Sequence, residues 1–141
     1  MHDTLEVRTT QTKQAVDLTG RINDAIAKAH VQEGLCVVFV AHTTAALTTG
    51  EVGEGTEEDL LEVMEKVIPH IRFRHGHDPS HAWSHMASSL LGPSLTIPII
   101  RGQLVLGTWQ SVLLIELDGP RHRDIHLRLI PAGEPPSPLR Q

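Results

Sequence analysis

The sequence predicts an α+β domain with antiparallel strand pairing, and three observations carry this. An unbroken apolar run, GLCVVFVA (Gly34–Ala41), has the β-branched composition of a strand covered on both faces. A helical period starting at Glu57 aligns Leu60, Leu61, Val63, Met64, Val67 and Ile68 before Pro69 stops it. After Gly92 the period changes, and SLTIPII, QLVLGTW, SVLLIELD and DIHLRLI follow one another as candidate strands. Strands, then helices, then a run of strands is the order of α+β folds rather than of doubly wound sheets.

The remaining elements fall between these. Thr4 to Thr10 alternates apolar with polar and reads as an opening strand. From Asp17, a possible N-cap, Leu18, Ile22, Ala25, Ile26 and Ala29 recur at helical spacing. AALTTGE, after His42-Thr43-Thr44, reads as a strand, and a hinge with Gly50, Gly53 and Gly55 leads to Thr56, a candidate cap for the helix from Glu57. Pro69 to Pro79 has no core period. Asp78-Pro79 then has the form of an N-cap and first helical residue, opening a short helix that ends at Gly92. Residues 1–131 are thus expected to form one domain. PAGEPPSPLRQ carries four prolines and little to bury, so 132–141 read as a disordered tail.

Composition narrows the function. The 141 residues hold 12 Lys+Arg against 17 Asp+Glu, a net charge of −5 that offers no basic excess for nucleic acid or an anionic membrane surface. Aromatics are 3%, with no Tyr, too few for a single-strand stacking platform. No stretch approaches the roughly 18 apolar residues of a membrane span, and the N-terminus lacks a signal-peptide core, so a soluble, cytoplasmic protein is expected. The lone Cys36 excludes an internal disulfide framework, and its apolar neighbours suggest an inert buried thiol.

Ten histidines are the unusual count. His75, His77, His81 and His85 lie close together, and a helix from Pro79 would place His81 and His85 on one face, within reach of a common ion or anion. The Glu of a HExxH motif is missing from His81-Ala82-Trp83-Ser84-His85, so a solvated loop with backbone-bonded imidazoles fits the spacing equally well. His42 ends a strand, where side chains often face a cleft. Glu116 interrupts SVLLIELD, and a carboxylate there must be paired, bind a cation, or face water on an edge strand. Past that strand, Arg121 and Arg123 could fork onto phosphate or carboxylate, or be solvated in a surface turn. Ser88, Ser89 and Ser94 around Gly92 could hold an anion or form an ordinary helix stop.

Read in order, HTTAALTTGE, FRH, SHMASSLLGPSLTIPI, GQLVLGTWQ and ELDGPRHR closely resemble the YjbQ-like family, linked to secondary thiamine-phosphate synthase activity. The resemblance runs from the first strand to about Ile130 and implies a strand-rich, barrel-like core assembled as a homotrimer. Matched position by position, the recurrent polar residues are His42, Thr43-Thr44, Glu51, His75, His85, Ser88, Gly92, Ser94, Gln110, Glu116 and Arg121. His42, His75 and His85 become the implied ligands of a divalent metal, zinc in the first instance or magnesium with a diphosphate substrate. Glu116 and Arg121 become the implied catalytic residues. Thr43, Ser88, Ser94, Gln110 and Arg121 are the implied contacts to a small phosphorylated metabolite. His77 is not a family position, His81 stands where Asn is more usual, and Val52-Gly53-Glu54 replaces a segment that commonly carries Asn and Asp.

Two expectations follow. One is a metal-assisted transferase joining a pyrimidine methyl diphosphate to a thiazole phosphate with release of pyrophosphate. The other is a non-catalytic trimer that binds a metal or an anionic metabolite. No Gly-rich diphosphate loop accompanies the first.

Overall fold

The computed structural model describes residues 2–76 and 79–133. Its elements are β1 (His2–Arg8), β2 (Gln14–Asp17), α1 (Thr19–Lys28), β3 (Gly34–Val40), β4 (Ala45–Gly50), α2 (Thr56–Val67), a 3-10 turn at Pro79–His81 continuing into α3 (Ala82–Leu91), β5 (Ser94–Ile100), β6 (Gln103–Leu104), β7 (Ser111–Glu116) and β8 (His122–Pro131). All pairings are antiparallel. One sheet has the order β1-β8-β3-β5-β6 and the other β2-β7-β4. The expected α+β architecture with a strand-rich, half-barrel core and three helices is what forms. Among the described residues no helix is long and apolar enough to cross a membrane.

Two apolar layers hold it together. Between the sheets, Val38, Val40, Ile97, Ile99, Ile125, Leu127 and Leu129 meet Leu47, Val112 and Leu114, with Leu18, Ile22 and Ile26 closing one side. Outside the three-stranded sheet, Leu113, Ile115 and Leu117 pack against Met64, Ile68, Trp83 and Ala87 from α2 and α3. β7 is therefore covered on both faces, which explains its nearly continuous apolar sequence.

β3 differs from its expectation. Only Cys36, Val38 and Val40 are buried on it, while Leu35 and Phe39 are each 42% exposed. Among the described residues no layer covers the outer face of the five-stranded sheet, so β5 likewise alternates and leaves Ile100 exposed. An all-apolar strand here reports a half-covered sheet, not a sandwiched one. Burial raises the Cys36 thiol to about 11, in keeping with an inert buried residue.

Several boundaries move. Asp17 ends β2, a short strand missed by periodicity, and its Oδ1 accepts the Thr19 amide at 2.9 Å while Leu18 occupies the N-cap of α1. Gly55, at φ 81°, precedes α2 in place of Thr56. The broad apolar face expected on α2 is narrow: Met64 and Ile68 are buried, but Val63 and Val67 are exposed. QLVLGTW supplies only the two residues of β6, because Leu106 to Gln110 turn away from the sheet. β8 begins at His122, two residues earlier than DIHLRLI suggests, and that extension matters below. The expected cap Asp78, together with His77 and tail residues 134–141, lies outside the described residues.

Candidate functional site

β4 and β7 deliver their ends to one point, since Ala45 pairs with Glu116. There Thr44 and Glu116 face the start of β8, whose alternation places Arg123, Ile125, Leu127 and Leu129 inward. Arg123 is 2% exposed and Glu116 fully buried. The pair is forked: Arg123 Nε donates to Glu116 Oε1 at 2.9 Å, and Nη2 donates to Oε2. Nη2 also reaches the Thr44 carbonyl at 3.0 Å and its hydroxyl at 2.8 Å.

The rest of the Glu116 carboxylate is equally committed. Oε1 accepts the Thr9 hydroxyl at 2.7 Å, and Oε2 accepts the amides of Leu117 at 3.0 Å and Asp118 at 3.1 Å. Burial alone would raise its pKa, but the Arg123 fork, Thr9 and the Asp118 amide outweigh burial and hold it below the usual carboxylate range. A carboxylate with every acceptor site filled has none to offer a cation or a substrate proton. Of the outcomes the sequence leaves open for Glu116, pairing is the one that forms, with Arg123 as the partner.

Gly119 shows how closely the surrounding turn is packed. A Cβ at that position would sit 2.8 Å from Glu116 Cγ and 2.9 Å from Thr9 Oγ1, so only glycine fits. The Gly119 amide donates to Thr12 O at 2.9 Å and Arg121 N to Thr9 Oγ1 at 2.8 Å, tying this turn to the segment after β1.

Above this dry floor opens a cleft of about 680 Å³. Its imidazoles come from four places: His42 after β3, His75 in the loop after α2, His81 and His85 at the start of α3, and His122 on β8. Thr43, Thr44, Asp118, Pro120, Arg121 and Arg123 complete the lining. His75 and His85 converge, with ring centroids 4.7 Å apart and planes tilted by 34°. His81 Nδ1 lies 2.7 Å from Asp118 Oδ2. Arg121 is bound to the same residue, through Nε to the Asp118 carbonyl at 2.8 Å and through Nη2 to Oδ2 at 2.9 Å, yet stays half exposed.

His42 is held differently. Its Nε2 accepts the Asp124 amide at 3.2 Å. Desolvation, and then the Arg123 charge, lower its pKa, so the ring is neutral and its single proton must sit on Nδ1. In this arrangement His42 presents an N–H donor, and a cation would first have to displace either that proton or the Asp124 amide. Among the described residues the cleft imidazoles do not bring three donor atoms within 4.8 Å of one another; the trio that does so is Glu6, His122 and Asp124, on the sheet face beside the cleft. Within the cleft, His75 and His85 are the imidazoles in ring contact with each other, whereas the Nε2 of His42 is already engaged by a backbone amide.

The other expected contacts fall elsewhere. Ser88 is buried, with its hydroxyl donating to Ala45 O at 2.6 Å, and so anchors α3 to β4 instead of facing the cleft. Ser94 is exposed at the start of β5 and does not line the cleft. Gln110 lies at the opposite end of the β4–β7 pair, about six residues from Glu116 or ~20 Å away along the strand, where Nε2 donates to Thr49 Oγ1 at 3.1 Å and Oε1 accepts the Gly107 amide at 3.0 Å. A second hollow there is lined by Glu51 and the exposed Trp109. The sequence names Arg123 as a residue that could fork onto a carboxylate, which it does on Glu116, but it does not point to Asp118 as the partner of His81 and Arg121. Continuing the β8 alternation back by two residues would have placed Arg123 on the buried face.

The model of the YjbQ family, described as UPF0047 protein YjbQ-like, matches residues 3–132. A UPF0047 protein of Archaeoglobus fulgidus is 35% identical over 127 residues, covering 89% of this chain and 98% of its own, and one from Mycobacterium tuberculosis is 39% identical over 132 residues, covering 91% and 96%. Among solved structures, a protein of unknown function from Sulfolobus solfataricus superposes with a TM-score of 0.87 at 33% identity, covering 94% of this chain and 97% of its own. One from Aeropyrum pernix gives 0.87 at 32% identity, covering 94% and 99%. A match that includes both sheets, the three helices and every cleft residue leaves one conclusion: the chain belongs to the YjbQ-like UPF0047 family.

Proposed function

We propose that the histidine-lined cleft is an active site for a small phosphorylated heterocycle, with thiamine phosphate formation as its model reaction. One observation carries this reading: imidazole N–H groups and the half-exposed Arg121 converge on a cleft whose floor is a saturated, dry ion pair. In that reaction a carbon–nitrogen bond forms to the thiazole phosphate while the carbon–oxygen bond to the diphosphate breaks, and pyrophosphate leaves with the bonding electrons. Little covalent help from the protein is needed, and stabilisation of the departing charge is the main requirement. His42 Nδ1–H and Arg121 would donate to phosphate oxygens, with Thr43 at the same rim. A zinc or magnesium ion shared by His75 and His85 would neutralise the diphosphate.

The complete engagement of Glu116 favours a second reading. With Asp118 also bound to His81 and Arg121, the cleft holds no uncommitted carboxylate among the described residues, and a binding protein for an anionic metabolite needs none. Pyrophosphate release by the purified chain, supplied with both substrates and either zinc or magnesium, separates the two. Turnover that falls in Arg121→Ala supports the enzyme. Tight binding of the phosphorylated ligands with no pyrophosphate released supports the binding protein. Elemental analysis of protein purified without chelators tests the ion, and a folded His85→Ala variant that kept the wild-type metal content would remove it from this site.

The chain is further proposed to act in the cytoplasm as a homotrimer. Leu35, Phe39, Ile100 and Ile130 on the outer face of the five-stranded sheet form an apolar area suited to a second copy. Light scattering at micromolar concentration should give three times the 15.5 kDa chain mass, and a monomer would refute the assembly.

A further inference from the structure

We propose a second divalent-cation site at the edge of the cleft, formed by Glu6, His122 and Asp124 on the outer face of the five-stranded sheet and suited to zinc, with His122 shared between this face and the cleft lining. Glu6 of β1 is registered directly opposite Asp124 of β8. His122, two residues earlier on β8, projects from the same face. One ligand atom from each of the three lies within 4.8 Å of the other two.

Two features make this more than a chance grouping. Carboxylates directly opposite one another on paired strands repel and weaken a sheet. Among the described residues neither is compensated by lysine or arginine: Asp124 pairs with His122, and Glu6 forms no ion pair. The pair is thus a local liability that a cation would turn into a bond. The second feature is metric. His122 Nε2 and Asp124 Oδ1 are 3.4 Å apart, long for a charge-assisted hydrogen bond. Two ligands each about 2.0–2.1 Å from one zinc, at a tetrahedral angle, stand about 3.3–3.4 Å apart.

Glu6 is exposed and free to swing the remaining distance, while Asp124 is held by its own amide on His42. One imidazole and two carboxylates, completed by water, make a borderline donor set of the kind zinc accepts. The site shares no ligand with the His75–His85 pair, and His122 and Asp124 lie at the opposite end of β8 from Ile130 of the apolar area.

Calorimetric titration of zinc chloride into the metal-stripped full chain tests it, with Glu6→Gln, Asp124→Asn and His85→Ala beside wild type. Glu6→Gln should weaken one zinc equivalent at least tenfold, and Asp124→Asn should do the same. His85→Ala should retain that equivalent. In metal-free buffer Glu6→Gln should melt above wild type, since it removes a like charge, and it should gain less in Tm when zinc is added. A wild-type isotherm in both Glu6→Gln and Asp124→Asn would overturn the site, as would its loss in His85→Ala. Neither result bears on turnover in the cleft, so the two readings can fail separately.

Discussion

Glu116 and Asp118 lie two residues apart at the end of one strand, yet they sit in opposite surroundings. Glu116 is dry, forked by Arg123 and bonded by Thr9 and two amides. Asp118 stands at the rim, where it steers His81 and the half-exposed Arg121. The same chemical pair, carboxylate and guanidinium, is therefore architecture on the floor and equipment at the rim. Solvent decides which. A buried ion pair gains little net stability while intact, but losing one partner strands the other without water. An exposed pair is screened and contributes little to folding, which leaves its cation available to a ligand.

The largest effect should break the floor. Arg123→Ala should cost about 3–5 kcal/mol of unfolding free energy, because Glu116 is left charged and buried; urea denaturation measures it. A loss below about 1 kcal/mol would mean that water reaches the floor, and the contrast with the rim would collapse.

Next comes the rim. Arg121→Ala should weaken phosphate-ligand binding by roughly 2–4 kcal/mol while changing stability by less than about 1 kcal/mol. Arg121→Lys keeps charge without the planar fork and should recover only part of the binding. Isothermal titration with a phosphorylated thiazole, run beside the urea curves, gives both values. A stability loss matching that of Arg123→Ala would show the rim to be structural as well.

The acid response sharpens the comparison. Glu116 has a depressed folded-state pKa, so its contribution to stability is fully present above the unfolded carboxylate value and is lost as pH falls through the folded one. His42 has the opposite chemistry with the same outcome. Its folded pKa lies below the unfolded value of about 6.5, so the unfolded chain binds the extra proton first and stability declines as pH drops below that point. Urea curves from about pH 7.5 down to about pH 2.5 should show a first decline below about pH 6.5 that His42→Gln removes, leaving in place the carboxylate-driven fall that begins below about pH 4.3.

The smallest effect is expected at His81. Its bond to Asp118 is partly exposed, so His81→Asn should shift stability by less than about 1 kcal/mol. It should nonetheless weaken ligand binding two- to fivefold by freeing Asp118 and, with it, Arg121. Equal affinity in wild type and His81→Asn would leave Arg121 positioned by its own backbone contact alone.

Much of this was open to reading along the chain. The apolar run of β7 demanded cover on both faces, and it has the inter-sheet core on one side and α2 and α3 on the other. Glu116 within that run demanded a partner, although periodicity could not say which arginine, because Arg121 and Arg123 share the same parity and only the start of β8 at His122 puts Arg123 inside the strand and Arg121 before it. β3 misled for the reverse reason. Its residues are as apolar as those of β7, but apolar composition does not say whether a second layer arrives, and among the described residues none covers Leu35 and Phe39.

The histidines divide along the same line. Their number, and the segments that carry them, are properties of the sequence, as is the family resemblance resting on LLGPSLTIPI and LGTWQ. The sequence alone also determined the α+β class and its antiparallel pairing, since the 3.6 and 2.0 periods are local and survive without knowledge of neighbours. Only the tertiary structure decided that His42 offers a proton while His75 and His85 face each other, that Ser88 is an anchor, and that Gln110 stands at the far end of the β4–β7 pair. Those outcomes depend on which donors and acceptors are left uncommitted once the sheets have closed, and that depends on residues as far apart in sequence as Thr9 and Arg123.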